Sequence, residues 1–216
     1  MVKKDGVIFE KFSNYSNDIK NGKLYCNSIK YFRKLENGGA GIADENEGKI
    51  TFTVKEKKYT IEYDGDSNFI FCVTIHEPGF VNREKEQGLY LYFYEEHNRN
   101  LEMKYKDIIL IDAEELKEKI EKKCKELNIN CIHCEVEYVD LQNIPQYAKD
   151  ILVKEPYKAV FFKDKKFKWQ KEYRFLFYNI NPELIQNDHF ELNIGSLCTT
   201  KIESLEEMGK RFQFHV

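Results

Sequence analysis

The stretch from Lys168 to Phe177, KWQKEYRFLF, carries a polar row where a buried strand would carry almost none. Side chains alternate faces along a strand, so Trp169, Lys171, Tyr173, Phe175 and Phe177 share one side, and Gln170, Glu172, Arg174 and Leu176 share the other. A carboxylate with a guanidinium two residues on has two chemical uses. On a solvent-facing strand it is a cross-strand ion pair, which is worth little. In a cleft, Glu172 held by Arg174 can accept a ribose hydroxyl or stabilise positive charge developing at a sugar carbon, with Gln170 beside it.

The flank of this row is basic. Residues 162 to 174 hold Lys163, Lys165, Lys166, Lys168, Lys171 and Arg174 against Asp164 and Glu172. Interleaved Phe162, Phe167, Trp169 and Tyr173 would suit a polyanion whose bases stack on aromatic faces; a solvated lysine loop ahead of a core strand has the same composition. Upstream, GIADENEGK places Asp44, Glu45 and Glu47 beside Gly41 and Gly48. Such a segment is an acidic turn, or a receiver for a hydroxyl-rich ligand or a divalent cation.

Other chemistries lack their residues. Cys131 and Cys134 in CIHC, with Cys124 and His133 nearby, have no second paired knuckle to complete a structural zinc site, so no metal is predicted. His76, His97, His133, His189 and His215 show no H-E-x-x-H spacing. A phosphate-binding glycine motif and a nucleophile elbow are both missing, which disfavours common NTPase and hydrolase mechanisms.

The elements that must position these residues follow from periodicity. The 216 residues, with a formal charge of -3, fit one domain spanning 1–216 and exclude a wholly basic surface for duplex DNA. GVIFEKF reads as a strand and SNYSNDIKNGK as a short helix or turn ending at Gly22. KLYCNSIKYFRKLE alternates as one or two strands. ITFTVKEKKYTIEY reads as a hairpin turning at Lys55 to Lys58, an excursion around 49–65. NFIFCVTI suits a central strand covered on both faces.

GLYLYFYEEH and LEMKYKDIILI are further strands joined by an HNRN turn. DAEELKEKIEKKCKELN is a helix inserted around 112–128, with Asp112 as N-cap, Glu115 completing a capping box, and Leu116, Ile120, Cys124 and Leu127 on one face. CIHCEVEYVD returns to strand, IPQYAKDIL is a short helix started by Pro145, HFELNIG is a last strand and KIESLEEMGK a last helix. Strands with irregularly inserted helices predict an α+β fold with a mixed or antiparallel sheet and a few peripheral helices. The N-terminus lacks a signal-peptide run and no segment is apolar enough to span a membrane, so a cytoplasmic protein with reduced cysteines is expected.

In order along the chain, FEKFSNYS, IADENEG, IFCVTI, FKWQKEYR and LNIGS resemble the landmarks of a widespread bacterial and phage family of unknown function. Those landmarks are a Tyr/Ser-rich strand and short helix, an Asn-Asp-Pro-x-Glu loop, a Cys-containing central strand, a Trp-x-x-Glu-x-Glu-Trp-Arg strand and a closing Ile-x-x-Gly strand. Ala43 and Glu45 stand where that family has Asn and Pro, Gln170 where it has the first Glu, and Phe167 and Tyr173 where it has tryptophans.

The layout is also similar to the ADP-ribosyltransferase fold, including DarT-like enzymes. Gln170-Lys171-Glu172 resembles the Gln-x-Glu motif of one branch of the ADP-ribosylating toxins. That resemblance implies NAD as cofactor, Glu172 on the nicotinamide-ribose hydroxyl favouring an oxocarbenium-like transition state, and Gln170 orienting the acceptor. Lys11, Phe12 and Ser13 stand in the first strand where those enzymes place an Arg or His.

Two expectations result. One is an ADP-ribosyltransferase-like domain binding NAD or a related nucleotide in a cleft of Tyr25, Arg33, Asp44, Glu47, Gln170, Glu172 and Arg174. The other is a non-catalytic accessory or anti-defence protein that binds a nucleotide signal, single-stranded nucleic acid or a host protein. Its surface would be the Lys163 to Lys171 patch, with Lys165, Lys166, Lys168, Phe167 and Trp169.

Overall fold

A computed structural model describes residues 7–34, 46–76, 105–198 and 200–204. The expected GLYLYFYEEH strand, the HNRN turn and Asp44 lie outside these residues. The first strand, β1 (Ile8–Ser13), buries Phe9 and is followed by α1 (Ser16–Lys20), with Gly22 just beyond it at φ +85°. In β2 (Lys23–Ser28) the alternation holds, with Leu24, Cys26 and Ser28 buried. The expected continuation as strand does not: IKYFRK is a helix, α2 (Ile29–Lys34). Ser28 Oγ accepts the Tyr31 N–H at 3.1 Å, which satisfies a donor of the first turn as a helix cap does.

β3 (Lys49–Val54) and β4 (Lys57–Glu62) form the expected hairpin, turning on Lys55 and Glu56, both at positive φ. β5 (Phe69–His76) buries Phe69, Ile70, Phe71 and Val73, so both faces are covered as its apolar run implied. β6 (Asp107–Asp112) leads into α3 (Ala113–Leu127), which buries Ala113, Leu116, Ile120 and Cys124 and leaves Leu127 exposed. Asp112 Oδ1 accepts the Glu115 N–H at 3.0 Å, while the Glu115 carboxylate accepts the Cys198 N–H at 2.7 Å.

β7 (Asn130–Glu135), β8 (Glu137–Val139) and α4 (Gln146–Lys154), with Pro145 immediately before it, precede a 3₁₀ turn at Pro156–Phe161. Then come β9 (Phe162–Asp164), a second 3₁₀ turn at Lys165–Gln170, β10 (Glu172–Tyr178), β11 (Ile185–Gln186) and β12 (His189–Asn193). The start of the expected final helix is instead a strand, β13 (Thr200–Ser204), which pairs antiparallel with β6 from Thr200 opposite Ile111 to Ser204 opposite Asp107.

The architecture is α+β. Among the described residues, nine strands belong to a mainly antiparallel sheet, and β3–β4 and the parallel pair β8–β9 make two small ones. The chain divides into two compact units. The first comprises Met1–Leu24, Val73–Leu127 and Glu191–Val216. In it β1 lies between the end of β5 and β6, Phe9 facing Ile75 on one side and Ile111 on the other, and Ile8, Phe12 and Tyr105 pack on Ile108 and Leu110.

The second unit comprises Tyr25–Cys72 and Asn128–Phe190. One of its cores joins the hairpin to α4 through Ile50, Phe52, Val139, Ile144, Ala148, Leu152, Ala159 and Phe162. Another gathers Ile29, Ile70, Val160, Phe161 and Leu176. β10 pairs antiparallel with β7, placing Arg174 opposite Cys134, and its residues Arg174 to Phe177 are all buried. Both faces of β10 are therefore covered, so the polar row is an interior feature.

Candidate functional site: a buried ion network and its basic turn

Strand β10 starts at Glu172, which corrects the expected row. Gln170 closes the preceding 3₁₀ turn, and Lys171 between them adopts left-handed backbone with φ +44°. Strand parity thus holds for Glu172, Arg174 and Leu176 only. Gln170 nevertheless joins the two charged residues through a third side chain, Lys163.

Arg174 is 1 % exposed, and such a guanidinium needs partners for its donors. Its Nε donates to Glu172 Oε2 at 2.6 Å, its Nη2 to Glu47 Oε2 at 3.0 Å, and its Nη1 to both Glu47 Oε1 and the Val160 carbonyl. Lys163, equally buried on β9, donates from Nζ to Gln170 Oε1 at 2.7 Å and Glu172 Oε1 at 2.9 Å, and lies 3.9 Å from Glu47 Oε2. Two carboxylates thus face two cations, and the charges balance in the interior.

The network sets its own ionisation. Burial pushes the Glu172 carboxyl up, but Arg174 and Lys163 outweigh that and hold it down at about 2. Burial likewise opposes the charge on Arg174, whereas Glu172 and Glu47 raise its pKa well above the ordinary value. Tyr138 Oη accepts the Glu172 N–H at 2.9 Å, and burial pushes its phenol far up, keeping it neutral. Such geometry is that of a buried ion cluster, costly to break and specific in what it joins.

Glu47 is placed from the other side. Arg33 donates from Nε to the Glu47 carbonyl at 2.7 Å and from Nη2 to the Tyr63 carbonyl at 3.0 Å, while Gly48 turns the chain at φ +65°. Arg33 therefore positions Glu47 and also pairs with Glu62 at 3.2 Å. Tyr25 stands apart, exposed and stacked on His189 at 4.0 Å between centroids.

The basic segment divides by burial. Lys163 belongs to the network, and its Nζ also sits 4.8 Å from the centre of the buried Phe167 ring. Asp164 caps the 3₁₀ turn by accepting the Lys166 N–H at 2.9 Å. Lys165, Lys166, Lys168 and Lys171 are exposed and Trp169 is half-buried, Lys165 pairing with Asp140 at 2.6 Å and Lys166 lying 4.9 Å from the Phe167 ring. The expected patch is thus a smaller surface, without Lys163 and Phe167.

Sequence reasoning placed Lys163 on the surface and passed over Tyr138. Lys163 directly follows the apolar run AVFF, but the lysines at 165, 166 and 168 that come after it hide its separate environment. Tyr138 lies directly across the parallel β8–β9 pair from Lys163, a register no local pattern reveals.

Cys131 and Cys134, three apart on β7, point to opposite faces. No group of three or more His, Cys, Asp or Glu suited to a metal ion occurs among the described residues. No helix there is long and apolar enough to cross a membrane. No family model, curated protein or solved structure matches the chain.

Proposed function

We propose that this protein is a non-catalytic binding protein whose ligand is a single-stranded nucleic acid or a nucleotide, taken on the basic turn Lys165–Gln170 and Lys171. The observation carrying this reading is the division of the charges. Glu172, Glu47, Arg174 and Lys163 are spent on one another in the interior, whereas Lys165, Lys166, Lys168 and Lys171, which flank Trp169 in sequence, are exposed. Phosphates meet the ammonium groups and a base stacks on the indole. The buried network anchors the turn through the Lys163–Gln170 bond.

Trp169 is the only tryptophan in the chain, so its emission reports on this surface directly. Titration with a short oligo-dT should quench it, and the fitted affinity should fall steeply with salt. Charge reversal at Lys166 and Lys168 should abolish the quench. Unchanged emission of the native protein would reject the reading.

A second reading, an ADP-ribosyltransferase-like site for NAD, is favoured by one observation: Gln170 and Glu172 meet on the same ammonium group, with Glu172 ionised. Both Glu172 oxygens already accept charge-assisted bonds, so a ribose hydroxyl would have to compete with Lys163 and Arg174. NAD consumption by the native protein that Glu172→Gln removes would favour this reading over the first.

A further inference from the structure

In the first compact unit, a cavity of about 430 Å³ is lined by Lys119, Lys122, Lys123, Glu126, Asn193, Ile194 and Gly195. The geometry points to an anion-binding site here, for a small dianion of the phosphate class, separate from the basic turn. On α3, residues at 119, 122, 123 and 126 follow the i, i+3, i+4, i+7 spacing of one helical face. That face borders the stripe of Leu116, Ile120 and Cys124 that the helix buries. Three lysines and a single glutamate thus line one cavity.

The facing wall is fixed by backbone. Gly22, at φ +85°, packs so closely on Gly195 that a Cβ there would sit 2.0 Å from the Gly195 carbonyl oxygen. Its own carbonyl accepts the Ile194 N–H at 2.9 Å, and the Lys20 carbonyl accepts the Leu197 N–H at 2.8 Å. Asn193 Oδ1 accepts the Gly195 N–H at 3.1 Å, so the remaining polar group of that side chain is the Nδ2 donor. Gly195 has open space where a Cβ would point, consistent with a wall a ligand can approach closely.

The lysine ion pairs do not compete strongly. Lys119 is 3.9 Å from Glu115 and Lys123 is 3.0 Å from Glu126, both partly exposed, and exposed pairs of this kind are weak. A dianion offers the same groups several charge-assisted bonds at once. The cavity volume lies within the size range of small-ligand sites and accommodates a phosphate ester as well as the free ion.

The test is a two-dimensional amide NMR titration of the full chain with pyrophosphate, against sodium chloride at matched ionic strength and against uncharged adenosine. The expected result is a saturable shift of the Asn193, Ile194 and Gly195 amides with pyrophosphate only. Combined Lys119→Gln, Lys122→Gln and Lys123→Gln should weaken it by at least about tenfold, the scale of losing charge-assisted bonds. Should the triple variant misfold, Lys122→Gln alone carries the same comparison.

Amides that do not move with pyrophosphate, or that move equally in sodium chloride or in the lysine variant, would overturn the site. Lys166→Glu with Lys168→Glu should leave these shifts unchanged. Loss in that variant would likewise overturn the claim of a separate site.

Discussion

Replacing Glu172 by Gln removes one charge from a buried cluster while keeping the shape of the side chain. In the folded protein the Glu172 carboxyl is held at about 2, against an ordinary value of 4.5. A depressed carboxyl pKa contributes stability that is fully present above the unfolded-state value and is lost as pH falls through the folded-state value. The difference corresponds to roughly 3 kcal/mol at pH 7, falling to roughly 1 kcal/mol by pH 3.

Glu172 is only 13 % exposed, so solvent screens this contribution weakly. Urea unfolding followed by Trp169 emission reads the unit that contains the network. With a urea slope of about 1–3 kcal/mol/M, Glu172→Gln should lower the midpoint at pH 7 by at least about 1 M. The gap between native protein and variant should then narrow as pH falls from 5 to 3. Equal midpoints at pH 7, or a gap independent of pH, would refute the assignment of Glu172 as an ionised member of a stabilising cluster.

Further outcomes test the scaffold. Gly22→Ala should destabilise the protein by more than about 1 kcal/mol, because a side chain at positive φ is strained and its Cβ would collide with the Gly195 backbone; thermal unfolding reads this. Changing Lys55-Glu56 to Asn-Gly should raise stability by about 0.5–1 kcal/mol, since both positions have positive φ, which Asn-Gly adopts with less strain. An unchanged or lower melting temperature in the Asn-Gly protein would show that the turn is held by other contacts.

Much of the fold was legible because local patterns and tertiary packing agree. The apolar stripe of Leu116, Ile120 and Cys124, the hairpin alternation around Lys55-Glu56 and the uninterrupted run of β5 each state their own burial. Where a single side chain redirects the backbone, periodicity misled. Ser28 caps α2 inside a run that alternates like a strand, and Lys171 in left-handed conformation detaches Gln170 from β10. β13 escaped because its sequence is charged enough for a helix, while pairing with the apolar β6 holds it extended.

The candidate site was legible only as a list of residues. Glu172 and Arg174 could be placed on one face by parity, but Glu47 reaches Arg174 across 127 positions of sequence and Lys163 arrives from another strand. Strand parity says which residues share a face and nothing of what that face meets. The separation of buried from exposed lysines was invisible for the same reason, since Lys163 and Lys165 differ by two positions and lie in opposite environments.

Fluorescence anisotropy of a labelled oligo-dT with three proteins side by side, native, Glu172→Gln, and Lys166→Glu with Lys168→Glu, tests the division of labour most directly. The account predicts that Glu172→Gln, folded at low temperature, binds within about threefold of the native protein although it melts earlier, whereas the lysine variant keeps its stability and loses binding. The opposite pattern, with binding lost in Glu172→Gln and retained in the lysine variant, would contradict it and make the Glu172 network the ligand site.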